Sequence, residues 1–170
     1  MGRIVCVANQ KGGVGKTTTA SNVAAGLAKA GMQTLLVDLD PQCNATTGLG
    51  GIPAETHPLV SEAALGENVV STAVTNLSLL PGSRSVRDVE RIAEQARAGS
   101  MVLSNHLSCG LNAWDYCLID CPPSLGELPR TALAGSTEVL MPIQCEYFAL
   151  EGLTQMIEVI RDVMADQPGR

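Results

Sequence analysis

Ten residues near the start of the chain, Asn9-Gln10-Lys11-Gly12-Gly13-Val14-Gly15-Lys16-Thr17-Thr18, have the make-up of a phosphate cradle. Glycines let the backbone fold tightly, so that several N–H groups point at one anion. Lys16 supplies a cation that bridges the β- and γ-phosphates of a nucleotide, and the Thr17 hydroxyl is a hard oxygen ligand for Mg²⁺. The loop predicted to hold the nucleotide is therefore Gly12, Gly13, Val14, Gly15, Lys16, Thr17 and Thr18. Lys11 to Thr17 is a variant of the P-loop pattern Gly-x-x-x-x-Gly-Lys-Thr. An ordinary P-loop has no use for a second lysine, so Lys11 stands out.

Three carboxylates stand where such a loop needs them. Asp120 ends the apolar run 116–119, the Walker B arrangement, and can orient a metal or its water shell at the carboxyl edge of a sheet. Asp38 and Asp40 end a second apolar run, 34–37, expected to lie beside the P-loop strand. A carboxylate near a γ-phosphate has to orient water rather than strip its proton early, because the transition state is loose. The plainer alternative, turn aspartates before Pro41 and Pro122, loses weight once a P-loop stands upstream.

These residues need strands that end at them. Residues 4–8 form a continuous apolar run, read as a strand buried on both faces. Residues 17–30 read as an Ala-rich helix closed by Gly31. A second buried strand follows at 34–37. The stretch 41–58 reads as loop with one helical turn, and 59–65 as a weak helix. Residues 77–80 read as a short strand stopped by Pro81-Gly82, 86–98 and 102–111 as helices, and 116–119 as a strand. Residues 125–133 read as a helix and 139–141 as a last strand. Leu153, Met156, Ile157, Ile160, Val163 and Met164 make one apolar helical stripe. Buried strands alternating with helices imply right-handed crossovers. The expectation is a single α/β domain over 1–170, doubly wound, with helices on both faces of a mainly parallel sheet.

Composition agrees. Of 170 residues, 45% are hydrophobic and 16% charged, which excludes a disordered chain. Aromatics at 2% argue against a nucleic-acid binder built on stacking platforms. A net charge of −6 gives no bulk attraction to DNA or to anionic membranes. Arg84, Arg87, Arg91 and Arg97 read as a solvated helix face. No leader-like segment opens the sequence and no apolar run approaches the roughly 18 residues of a membrane span, so a cytoplasmic chain with reduced thiols is expected. Cys117, Cys121, Cys6 and Cys145 read as core or pocket thiols rather than metal ligands. His57 and His106 have no partner at ligand spacing and are given no role.

The loop resembles the deviant Walker A motif of the ParA/MinD class of P-loop ATPases. Three further segments sharpen the resemblance to ParA-type chromosome or plasmid partition ATPases of the short, Soj-like form. They are Leu36-Val37-Asp38-Leu39-Asp40-Pro41-Gln42 with Asn44-Ala45-Thr46, the stretch Asp115-Tyr116-Cys117-Leu118-Ile119-Asp120-Cys121-Pro122-Pro123-Ser124-Leu125-Gly126, and Pro142-Ile143-Gln144-Cys145-Glu146-Tyr147-Phe148-Ala149-Leu150-Glu151-Gly152-Leu153. The resemblance spans nearly the whole chain and weakens between 51 and 113.

The resemblance implies an ATPase that uses ATP and Mg²⁺ and dimerises on ATP. Lys11 would reach across the homodimer to the partner's phosphates, so that it both binds nucleotide and joins Lys16 and Asp40 as a catalytic residue. Asp40 would position the attacking water. Asp38 would help arrange the metal shell, alongside Thr17 and Asp120. It implies a ParB-like centromere-binding partner, non-specific DNA, no membrane and a nucleoid-associated location. It also implies a further part after residue 170, carrying an adenine-contacting loop and basic DNA-gripping residues. Cys43 stands where the family commonly has Gly. The rivals are weaker. A MinD-like cell-division ATPase ends in an amphipathic membrane helix that is not seen here, and Asp40-Pro41-Gln42 favours the partition branch. The iron–sulfur relatives need a Gly-flanked cysteine after Walker B, where Gly126 is followed by Glu127. A non-hydrolysing adaptor is separated by measuring phosphate release.

Overall fold

The computed structural model describes residues 2–58, 65–87, 113–146 and 149–166. The elements are β1 (Arg3–Val7), α1 (Lys16–Lys29), β2 (Thr34–Asp38), α2 (Asn44–Gly48), a 3-10 turn (Leu65–Asn68), β3 (Val70–Ser71), β4 (Leu77–Leu80), β5 (Tyr116–Asp120), α3 (Glu127–Gly135), β6 (Glu138–Leu140) and α4 (Ala149–Ala165). They build one six-stranded sheet in the order β3-β4-β2-β5-β1-β6. Every pairing is parallel except β3 with β4.

The sheet is covered on both faces, as expected. Val7, Leu36 and Leu118 pack with Ala20, Ala24 and Ala28 of α1 and Ala45 of α2. The alternate residues Ile4, Cys6, Leu35, Val37 and Ile119 pack on the other face with Leu128 and Ala132 of α3 and Met156 and Val159 of α4. The period of two along each strand divides the core between the faces. Alanines every fourth residue let α1 lie close against the sheet, and Gly31 closes that helix at φ 93.

Three expectations are corrected. First, β2 does not lie beside β1. β5 inserts between them, with Arg3↔Tyr116 to Val7↔Asp120 on one side and Thr34↔Tyr116 to Asp38↔Asp120 on the other. Residues 117–120 are buried on both faces, and the centre of a covered sheet is where such a strand loses the most water. Second, the buried stripe of α4 runs through Met156 and Val159, with Ile160 and Val163 packed beside them, while Ile157 and Met164 are exposed. Third, Cys145 is exposed; the other described cysteines are buried thiols. The two-residue β3 carries no sequence signal and was not expected. The helices expected over 59–65, 86–98 and 102–111 fall almost wholly outside the described residues, as do His106, Arg91 and Arg97. Arg84 and Arg87 are exposed, in keeping with a solvated face.

Candidate functional site

The register puts the ends of β1, β5 and β2 level, so the loops after Val7, Asp120 and Asp38 leave from one edge of the sheet. β1 is also where the winding reverses, with β5 on one side and β6 on the other. The crevice outside such a switch point is where open α/β sheets take ligands.

The loop between β1 and α1 turns on Gly13 at φ 75 and Gly15 at φ 90, conformations that L side chains resist. A Cβ added to Gly12, Gly13 or Gly15 would meet nothing within 4 Å. These glycines therefore serve backbone shape and close approach from outside, not internal packing. α1 opens on Gly15 with no side-chain cap and no acidic residue in its first turn. Its leading N–H groups are left for an anion, which the helix dipole also favours. Lys16 is buried, and its Nζ donates to the Lys11 carbonyl at 2.8 Å. Burial lowers its pKa, opposed by the charges of Asp120 and Asp40.

The loop is also tied to the segment after β6. Asn9 Oδ1 accepts from the Lys11 N–H at 3.0 Å, and its Nδ2 donates to the Pro142 carbonyl at 2.8 Å. Gln144 Nε2 donates to the Gly13 carbonyl at 3.3 Å. The Lys11 ammonium pairs with the Glu146 carboxylate of its own chain, both half-exposed. Val14 is half-buried beside these contacts and Thr18 is exposed on the first turn of α1. Asn9, Gln144 and Glu146 were given no role from sequence, since nothing in the local pattern shows that residues some 130 positions apart meet.

Asp120 is fully buried and neither carboxylate oxygen has a hydrogen-bond partner among the described residues. Burial pushes its pKa from the usual 3.8 to about 7; the Thr17 side chain pulls it down without reaching bonding geometry, and Asp38 and Asp40 push it up. Folded Asp120 thus holds a proton that the unfolded chain releases at lower pH. Stability falls as pH rises from about 4 to 7, because the folded chain binds the extra proton there. Nucleotide-free Asp120→Asn is therefore expected to exceed the wild type in stability by roughly 1–4 kcal/mol at pH 8, the two converging below about pH 4. Urea denaturation with chelator present checks this; a variant less stable than wild type at pH 8 contradicts it.

Asp40 is buried, with Oδ1 accepting from the Gln42 N–H at 2.8 Å. Asp38 is fully buried, and both its oxygens are engaged within the loop that follows: Oδ1 with the Asp40 N–H at 3.1 Å, Oδ2 with the Thr46 N–H at 2.8 Å and hydroxyl at 2.6 Å. Burial raises its pKa, against the pull of the Thr46 bonds. Cys43, between them, sits at φ 55, the conformation that the family's usual glycine would adopt without strain. The Cys6 and Cys121 sulfurs lie 3.5 Å apart beneath the site.

The donor set suits magnesium. A cradle free of Cβ atoms, a threonine hydroxyl and an orphaned buried carboxylate fit an ion that keeps waters and takes one or two carboxylates plus phosphate oxygens. Among the described residues no three of His, Cys, Asp or Glu gather as an all-protein metal site.

Fold and loop together define a P-loop nucleotide-binding protein. The chain belongs to the AAA domain family, whose pattern covers residues 2–168. It is 43% identical over 166 residues, 95% of this chain, to the sporulation initiation inhibitor protein Soj of Bacillus subtilis. It is 44% identical over 167 residues, 94% of this chain, to the chromosome partitioning protein ParA of Myxococcus xanthus. The chain spans 66% and 58% of those two proteins' lengths, less than two thirds. Among solved structures, cobyrinic acid a,c-diamide synthase from Mycobacterium smegmatis with bound ADP and magnesium matches at a TM-score of 0.90 and 36% identity, over 97% of this chain and 69% of that one. The likenesses are thus to Soj and ParA proteins in sequence and to a nucleotide-bound synthase in structure.

Proposed function

We propose that the chain binds Mg-ATP, dimerises on it and hydrolyses it, and that the whole protein acts in chromosome or plasmid partitioning. The observation that carries this reading is the meeting, at one sheet edge, of an open glycine cradle, buried Lys16, the unpartnered Asp120 carboxylate and Asp40. The N–H groups of Gly12 to Thr18 and the Lys16 ammonium bind the phosphates. Thr17 and Asp120 hold Mg²⁺, and Asp38 shapes that shell through its charge beside Asp120. Bound there, the metal would supply charge neutralisation for the phosphates. Asp40 accepts a hydrogen bond from the attacking water and orients it. Lys11 serves the partner's phosphates; in the single chain Glu146 holds it, so dimerisation exchanges one anion for another.

Partitioning is supported by the identities of 43% and 44% to the Soj and ParA proteins, against 36% to the synthase. A ParB-like centromere-binding partner, non-specific DNA contact and a cytoplasmic, nucleoid-associated location belong to the same proposal. No helix among the described residues is long and apolar enough to cross a membrane.

Asp40→Ala separates hydrolysis from binding. Turnover is expected to fall roughly 10²–10⁴-fold while ATP affinity stays within about threefold. Phosphate release and titration calorimetry read the two quantities, and equal turnover in variant and wild type removes Asp40 from the mechanism.

A further inference from the structure

A carboxylate that orients water must itself be held still, since a misplacement of about 1 Å can cost about 100-fold in rate. Asp40 has three local ties: its N–H donates to Asp38 Oδ1, its Oδ1 accepts from Gln42, and its carbonyl accepts from the Cys43 N–H at 2.8 Å. Of these only Asp38 anchors it to the core of the fold. Asp38 in turn is held by Thr46, which gives both its N–H and its hydroxyl proton to Oδ2. With its proton spent there, the Thr46 oxygen accepts from the Gly82 N–H at 2.8 Å. Gly82 follows the end of β4, and a Cβ on it would lie 2.9 Å from the Asp38 carboxyl carbon and oxygen. Asp38 and Thr46 are fully shielded from water, so each of these bonds acts at low dielectric.

We infer that the Thr46 hydroxyl and the bare Cα of Gly82 are positioning features for Asp40, acting through Asp38. The chain of contacts runs from the end of β4, across Thr46, to the loop that carries the water-orienting carboxylate. A mere loop staple would need one bond. Here one hydroxyl bridges two separate segments onto a single buried carboxylate, and the second segment is kept free of a side chain where it touches that carboxylate. The inference rests on the hydrolytic reading of Asp40.

The test uses Thr46→Val, which keeps the shape and loses the hydroxyl, Thr46→Ser, which keeps the hydroxyl, and Gly82→Ala, with Asp40→Ala alongside. Thr46→Val is expected to lower kcat by about tenfold or more with ATP affinity within about twofold, and Thr46→Ser to restore turnover to within about threefold of wild type. In the nucleotide-free protein, amide hydrogen exchange by NMR is expected to quicken about tenfold or more at both Gly82 and Asp40 in Thr46→Val. Gly82→Ala, whose backbone needs no positive φ, is expected to reproduce the kcat loss and the faster Asp40 exchange. Wild-type turnover in Thr46→Val while Asp40→Ala is inactive overturns the positioning role alone, as does faster exchange confined to Gly82. Normal turnover in Asp40→Ala overturns the hydrolytic reading beneath it. If Thr46→Val fails to fold, Gly82→Ala decides: wild-type kcat in it overturns the inference.

Discussion

Lys11→Ala is expected to slow ATP turnover by about 10³-fold or more, the scale on which a cation supplied in trans acts on a phosphoryl transition state. The motive is position. Lys11 lies at the mouth of the loop, where the proposed site already has Lys16 of the same chain for the phosphates, its ammonium donating to the carbonyl of Lys11 itself. Two lysines from one chain on one phosphate repel; one from each chain ties dimerisation to the γ-phosphate. Mixing Lys11→Ala with Asp40→Ala distinguishes the two arrangements. In a mixed dimer the site on the Lys11→Ala chain keeps its own Asp40 and receives Lys11 from its partner, while the other site has neither. Activity is therefore expected to return, up to one working site per mixed dimer, although each variant alone is silent. If Lys11 serves its own site, neither site of the mixed dimer is complete. Flat activity across all ratios, with mixed dimers shown to form, would sink the trans assignment.

Lys16→Ala is expected to weaken ATP binding by about 100-fold, or roughly 3 kcal/mol, because charge-assisted hydrogen bonds to the phosphates are lost in a partly buried site. Titration calorimetry measures it. The same affinity in variant and wild type would place the nucleotide elsewhere. The two lysine variants thus have opposite signatures: Lys16→Ala loses affinity, and Lys11→Ala loses turnover.

The shape of the glycine loop was legible because its requirements are local. Gly13 and Gly15 answer a turn that a few neighbouring residues define, and the apolar runs ending in Asp38 and Asp120 announced themselves as buried strands. Pairing order was not legible. β5 inserts between β1 and β2 through contacts more than a hundred positions apart from β1, which no local pattern records. Gly82 looks like an ordinary loop residue, and Thr46, although it stands in a stretch that carries the resemblance, shows no sign of its bonds until the fold brings it to Asp38 and Gly82. Glu146 stood in plain view within a recognised stretch, but its pairing with Lys11 is a tertiary fact. On α4 the apolar spacing gave the helix, while the choice of Val159 over Ile157 for the core depended on where the helix docks.

The place of β1 in the sheet bears on how the molecule is made. Among the described residues β1 pairs with β5 and β6, whose contacts with it come 113 and 133 positions later in the chain. Contacts so distant in sequence form late, since loop closure must precede any reward from pairing. A nascent chain released only as far as β4 holds every residue of the glycine loop and can pack α1 on Val7 and Leu36, but it lacks the strands on either side of β1. On the proposed function, ATP is expected to meet a complete cradle only after β5 and β6 have docked, and to stabilise the last step of assembly rather than the first.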